Sequence, residues 1–154
     1  MSLVDGAVGV HETWLRVRYA ETDQMGVVYH ANYLVWMEVG RVEYCRAAGV
    51  RYRDMEADGY LLAVVESQVR YLRPARYDDE IVVRTRVLKS GPRLVKFGYE
   101  ILRQEELLAT GSTTHVFCTR DFRPVKLPPA YACVFREQEG PRAVSAGQRP
   151  ASKG

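Results

Sequence analysis

No stretch of this chain is apolar for long enough to cross a bilayer, a run that takes about 18 residues. The opening residues also lack the basic-then-apolar layout of a secretory signal. Its three cysteines, Cys45, Cys118 and Cys133, are odd in number and widely spaced, without a Cys-x-x-Cys pair. That pattern argues against a disulfide framework or a zinc site, and it fits reduced thiols in a cytosolic core. A dense basic run is missing too: 22 Lys and Arg stand against 19 Asp and Glu, for a net charge of +3. Nucleic acid is therefore not an expected partner. Arginine dominates the basic residues and suits phosphate, so a grip on a phosphorylated small molecule stays open. No repeat or linker interrupts the 154 residues, one domain's length of chain.

What is present changes period along the chain. Residues 1–12 show no periodicity and are expected to be a loose terminus. Thr13–Ala20 alternates, with Trp14, Arg16 and Arg18 against Leu15, Val17 and Tyr19, as a half-buried strand does. An acidic loop, Glu21–Val28, follows. From Tyr29 to Ala48 the apolar residues fall at helical spacing: Tyr33, Trp36, Met37, Gly40, Tyr44, Ala47 and Ala48. Leu34, Val35, Val39 and Val42 widen that face, so the helix is expected to be largely buried. Glu38 with Arg41, and Glu43 with Arg46, are spaced to pair, and Gly49 is the stop signal. Val50–Asp58 has room for one more short turn of helix.

Beyond Gly59 the pattern is that of strands: Tyr60–Tyr71, Glu80–Lys89, Leu94–Arg103 and Leu107–Thr119, with turn residues between them. Short connections favour antiparallel neighbours. Asp121–Pro129 reads as irregular, and residues 136–154 as a disordered tail. The domain is thus expected over 13–135. Its class is α+β, with a curved antiparallel sheet wrapped about one long helix.

The chemistry concentrates at the loop-to-helix junction. A helix start offers backbone N–H groups without intrahelical partners and the positive end of the macrodipole. Gly26 allows a tight turn with the backbone close to a ligand. Such amides can hold an oxyanion developing on a carbonyl. Asp23 adds a carboxylate able to attack or to act as a base, and His30 adds an imidazole. Together these suit acyl transfer. Gly26, Tyr29 and Asn32 are candidates for substrate contact at the same junction. The plainer alternatives are specific. Aspartate before a helix is most often an N-cap, and Glu38 is better read as a buried ion-pair partner of Arg41 than as a catalyst. His11 and His115 are left as structural. None of the cysteines has a histidine placed to activate it.

The run Val17–Tyr33, followed by Trp36-Met37-Glu38 and Arg41, closely resembles the hotdog-fold acyl-CoA thioesterases of the 4-hydroxybenzoyl-CoA thioesterase type, in particular the Tol–Pal-associated branch. Tyr71–Asp79 is similar to that family's second-strand exit. The resemblance spans roughly residues 13–135. It implies a five-stranded antiparallel sheet around a central helix, and dimers or dimers of dimers with the site at the subunit interface. It also implies Asp23 as the catalytic carboxylate and the His30 backbone amide as an oxyanion donor. The coenzyme A nucleotide would meet surface arginines, for which Arg70, Arg73 and Arg93 are candidates. Coenzyme A is part of the substrate, so no separate cofactor and no metal are expected. The chain departs from the family at Ala20-Glu21, where Glu-Asp is frequent, a position outside the expected chemistry.

The expected activity is hydrolysis of an acyl-CoA to a carboxylic acid and free coenzyme A, with Asp23 as nucleophile or as general base. Two rivals keep the same fold. A non-catalytic acyl-CoA or acyl-carrier-protein binding module would bind without turnover. An enoyl thioester hydratase or dehydratase would change the absorbance of the conjugated double bond.

Overall fold

The computed structural model describes residues 9–132 and 134–136. Most of the expected loose terminus, nearly all of the expected tail, and Cys133 lie outside the described residues. His11 and Glu12, expected to be loose, already belong to the first strand.

The elements run β1 (His11–Arg16), a single 3-10 turn (Tyr19–Glu21), α1 (Asn32–Ala47), α2 (Tyr52–Ala57), β2 (Leu61–Tyr71), β3 (Glu80–Ser90), β4 (Leu94–Arg103), β5 (Glu106–Cys118) and α3 (Pro129–Ala132). The alternating segment after Thr13 therefore leaves the sheet at Arg16 rather than Ala20. The helix starts at Asn32 rather than Tyr29. It stops where glycine predicts: Ala48 caps it, and Gly49 follows at φ +97°.

Five strands form one sheet in the order β1-β3-β4-β5-β2, with every pair antiparallel. The short-connection expectation holds for β3, β4 and β5. It fails for β2, which pairs with β5 at the far edge instead of with β3. Residues 72–79, although turn-like in composition, cross between sheet positions rather than closing a hairpin. β2 also carries a bulge between Val64 and Glu66, which takes Val65 out of the alternation it shares in sequence with Ser67, Val69 and Tyr71.

The inner face of the sheet is built by the period-2 residues Ile81, Val83 and Val87 on β3, Val95, Phe97, Tyr99 and Ile101 on β4, and Ala109 and Phe117 on β5, all buried. Tyr33, Trp36, Met37, Tyr44 and Cys45 of α1 meet them. Each large apolar side chain buried in this way contributes about 1.5–3 kcal/mol. The approach is close at Gly40, where a Cβ would stand 2.6 Å from Thr85 Oγ1 and 2.7 Å from Val83 Cγ1.

Two expectations for α1 are corrected. The helix is buried on one side only: Leu34, Val35 and Val39 remain exposed, because the sheet covers the face of Tyr33, Met37 and Tyr44 and leaves the opposite one. Glu38 is exposed and makes no pair with Arg41. Arg41 turns inward, where its Nε donates to Tyr52 Oη (3.0 Å) and its Nη1 to Tyr99 Oη (3.1 Å). The other expected pair does form, with Arg46 Nη2 3.7 Å from Glu43 Oε1.

Candidate active site

The loop before α1 is a closed turn rather than a loose connection. Thr22 and Val28 form a bridge, and the Asp23 N–H donates to Val27 O (2.9 Å). Inside it, the Gly26 N–H donates to Asp23 O and the Met25 N–H to Asp23 Oδ1, each at 2.9 Å. The second bond is the local side-chain turn that aspartate favours. Gly26 sits at φ +78°, a region that side chains with a Cβ adopt with strain. Asp23 is thus not an N-cap. It lies well upstream of Asn32, and the capping position belongs to Ala31, which makes no side-chain cap. Asp23 Oδ2 has no partner among the described residues, and its side chain is half-buried.

At the other end of the turn the chain bends tightly into the helix. Asn32, Tyr33 and Leu34 donate their N–H groups to Tyr29, His30 and Ala31 carbonyls (2.9, 3.3 and 3.2 Å). The amides of His30 and Ala31 find no acceptor among the described residues. They are the unsatisfied donors that a helix start leaves, now narrowed to two. The His30 carbonyl accepts from Tyr71 Oη (2.9 Å), and its ring packs on Tyr29 (4.5 Å between centroids) and edge-on to Tyr71 (6.2 Å).

The segment after β2 braces this junction. The Val28 N–H donates to Ala75 O (2.8 Å), and the Ala75 N–H donates to Tyr33 Oη (3.0 Å). Burial, the larger influence, holds the Tyr33 phenol above its ordinary pKa, so it stays a neutral partner. Asp79 is in turn fixed by Arg103 at 2.7 Å. The two motifs, Val17–Tyr33 and Tyr71–Asp79, are therefore in contact.

Of the other expected contact residues, Tyr29 and Asn32 sit at the junction. Asn32 is turned to the scaffold, however, donating from Nδ2 to Glu21 O (2.9 Å). Arg73 is exposed just beyond Tyr71. Arg70 points to the outer face of the sheet, where with Gln68, Thr110 and Ser112 it borders a depression of about 480 Å³. Arg93 lies at the β3–β4 turn, its carbonyl bonded to Phe117 N. Tyr71 pairs with Ala109, so Arg93 is roughly 27 Å away along β5 at strand rise. A single chain brings Asp23, Gly26, Tyr29, His30 and Asn32 together, and neither Arg70 nor Arg93.

Sequence reasoning passed over Glu21. It is only 5% exposed. Its Oε2 accepts from Trp36 Nε1 (2.8 Å) and its Oε1 from the Arg18 N–H (2.8 Å). Its carbonyl accepts from the Tyr29 N–H (2.9 Å) and from Asn32 Nδ2. The donor that buries it lies fifteen positions on, and no local pattern announces that partner. Cys45 offers no competing nucleophile at the core: burial pushes its thiol up to about 12, outweighing the neighbouring Arg41.

A five-stranded antiparallel sheet packed on one long helix is the architecture of the hotdog-fold thioesterases. The chain belongs to the thioesterase-like superfamily, whose model matches residues 17–135. It is 40% identical over 119 residues to the putative acyl-CoA thioesterase YneP of Bacillus subtilis, covering 76% of this chain and 86% of that protein. To the acyl-CoA thioester hydrolase YbgC of Escherichia coli it is 29% identical, covering 80% and 93%. The crystal structure of DHNA-CoA thioesterase from Staphylococcus aureus superposes with a TM-score of 0.75 at 38% identity, over 77% of this chain and 80% of that one.

Proposed function

We propose that this protein hydrolyses acyl-CoA thioesters to a carboxylic acid and free coenzyme A. The observation that carries the reading is the half-buried Asp23 carboxylate with Oδ2 unengaged, on a turn closed beside the unpaired His30 and Ala31 amides. In the reaction a C–O bond forms at the acyl carbon and the C–S bond breaks. Coenzyme A leaves as the thiol, carrying a proton from water. Asp23 Oδ2 either attacks the carbonyl, giving an anhydride that water then opens, or takes a proton from the attacking water. The His30 amide holds the carbonyl oxygen as it becomes an oxyanion. Its ring, packed on Tyr29 and Tyr71, is assigned no proton transfer.

Asp23→Asn keeps the shape and the turn, and should lower thiol release from a panel of acyl-CoAs by roughly 100-fold or more. Wild-type turnover by this variant would end the assignment. Rates across aliphatic and aromatic acyl groups in the same panel give the acyl preference.

The Tyr19–Tyr33 motif supports the Tol–Pal-associated branch. The buried, unpaired Cys45 and Cys118 support a reducing, cytoplasmic setting, and among the described residues no helix is long and apolar enough to cross a membrane. The exposed apolar face of α1 and the open edge of β2 support a homodimer or a dimer of dimers. In such an assembly Arg70, Arg73 and Arg93 are the side chains we assign to the coenzyme A nucleotide, Arg73 from beside the site and the others from a neighbouring copy.

A further inference from the structure

We infer that Glu21 is a positioning residue for thioester hydrolysis, clamping the Asp23 turn against the His30–Asn32 segment through its carboxylate and its carbonyl. The inference rests on the hydrolytic reading of the same site.

A carboxylate at 5% exposure is costly unless its oxygens are occupied. Both are, but by neutral donors, the Trp36 indole N–H and the Arg18 backbone N–H. The nearby Arg18 guanidinium stands 3.6 Å away on a side chain that is 74% exposed, a weakly contributing pair. An apolar side chain of similar volume would fill the position with less desolvation. Stability alone therefore gives a weak reason for an acid here.

What the acid does is geometric. Oε1 caps the 3-10 turn at the Arg18 N–H and Oε2 ties that turn to the second turn of α1, and this fixes the orientation of the peptide that follows. The Glu21 carbonyl then faces Tyr29 N–H and Asn32 Nδ2, the residues on either side of His30–Ala31. One residue thus holds both ends of the segment: Thr22 and Asp23 follow it directly, and the free amides hang from what it binds. Attack on a carbonyl held by those amides needs the carboxylate placed to a fraction of an ångström.

The test uses the full chain with Glu21→Gln and, separately, Trp36→Phe. Gln cannot accept from both donors, since its amide nitrogen meets an N–H. The expected result for Glu21→Gln is a kcat lowered roughly 10- to 100-fold, with KM kept within about threefold and the shape of the pH–rate profile unchanged. Trp36→Phe, which keeps the acid and removes one donor, should show the same split with a smaller loss. In amide NMR spectra without substrate, the His30 N–H should shift in both variants. Variants that melt earlier yet keep wild-type kcat below their melting temperature would overturn the inference. So would a lowered kcat with the His30 amide unmoved. A wild-type protein that turns over no thioester, while the His30 amide still shifts in Glu21→Gln, would overturn the role in hydrolysis and leave only a structural clamp.

Discussion

On the inner face of β5, His115 is fully buried, with Nε2 2.8 Å from Thr113 Oγ1 and its ring edge-on to Phe97 at 5.5 Å. The Thr113 hydroxyl also meets Tyr99 Oη, which accepts from Arg41, so a guanidinium lies at the head of this chain of bonds. Burial, and after it the charge of Arg41, lowers the histidine to about 3 from 6.5. A proton that the unfolded chain binds near pH 6.5 is thus refused by the folded one. The stability this contributes is complete above pH 6.5 and is lost as pH falls toward 3, with a total of a few kcal/mol. His115→Gln keeps a partner for Thr113 and does not titrate. Urea unfolding between pH 7.5 and 4.5 should therefore show a shallower acid loss in the variant than in the wild type; equal slopes would refute it. The same contrast between local and distant partners explains which site residues were legible. Asp23, Gly26 and His30 declare themselves by type and by place in one short run. Glu21 and Tyr71 do not, because their partners lie fifteen and forty-one positions away. Glu38 misled for a related reason: helical spacing permits a pair with Arg41, but two buried tyrosine hydroxyls compete for the guanidinium and hold it.

Helix α1 can lie close against the sheet because one of its turns has no side chain on the contact face. Gly40 faces Thr85 and Val83, both fully buried on the central part of β3. Glycine inside a helix costs about 1 kcal/mol relative to alanine, so an alanine here would gain that propensity. It would also drive a methyl to 2.6 Å from Thr85 Oγ1 and 2.7 Å from Val83 Cγ1. Overpacking of an enclosed site costs about 1–3 kcal/mol, and these two neighbours have little room to shift. Gly40→Ala should therefore destabilise the protein, read as a lower urea midpoint with an unchanged slope. A variant as stable as the wild type would show the helix free to move off the sheet. At this scale the sequence was informative about element type and poor about pairing. Period 2 in Glu80–Lys89 and Leu94–Arg103 exposes the inner faces directly. The partner of β2 is set by where residues 72–79 can reach, and composition does not encode that. The start of α1 was misplaced by three residues because Tyr29–Ala31, although helical in type, spends its backbone groups on the tight bend that frees the His30 amide.

Among the described residues, one face of the helix is left without cover. Leu34, Val35 and Val39 are 37, 47 and 39% exposed on one face of α1, while Val64 and Val65 are more than half exposed on β2. β2 is an edge strand with unpaired backbone groups, which in an isolated protein invites pairing with another copy. A stable interface buries about 800 Å² on each partner, and the exposed helix face and strand edge are the apolar surfaces open to it. A second copy related by a two-fold axis would satisfy both at once, since such an interface presents the same patch twice. The site lies between these features: His30 and Tyr29 precede the exposed helix face, and Tyr71 ends the exposed strand. Assembly and activity should therefore fall together. The wild-type protein is expected to sediment at no less than twice the 17.5 kDa chain mass. Val39→Glu places a charge at the centre of the proposed contact, where burial without a partner is prohibitive. It should yield a folded monomer with the far-ultraviolet spectrum of the wild type and little thioesterase activity. A wild-type monomer, or a monomeric Val39→Glu with full turnover, would show that one chain holds the complete site.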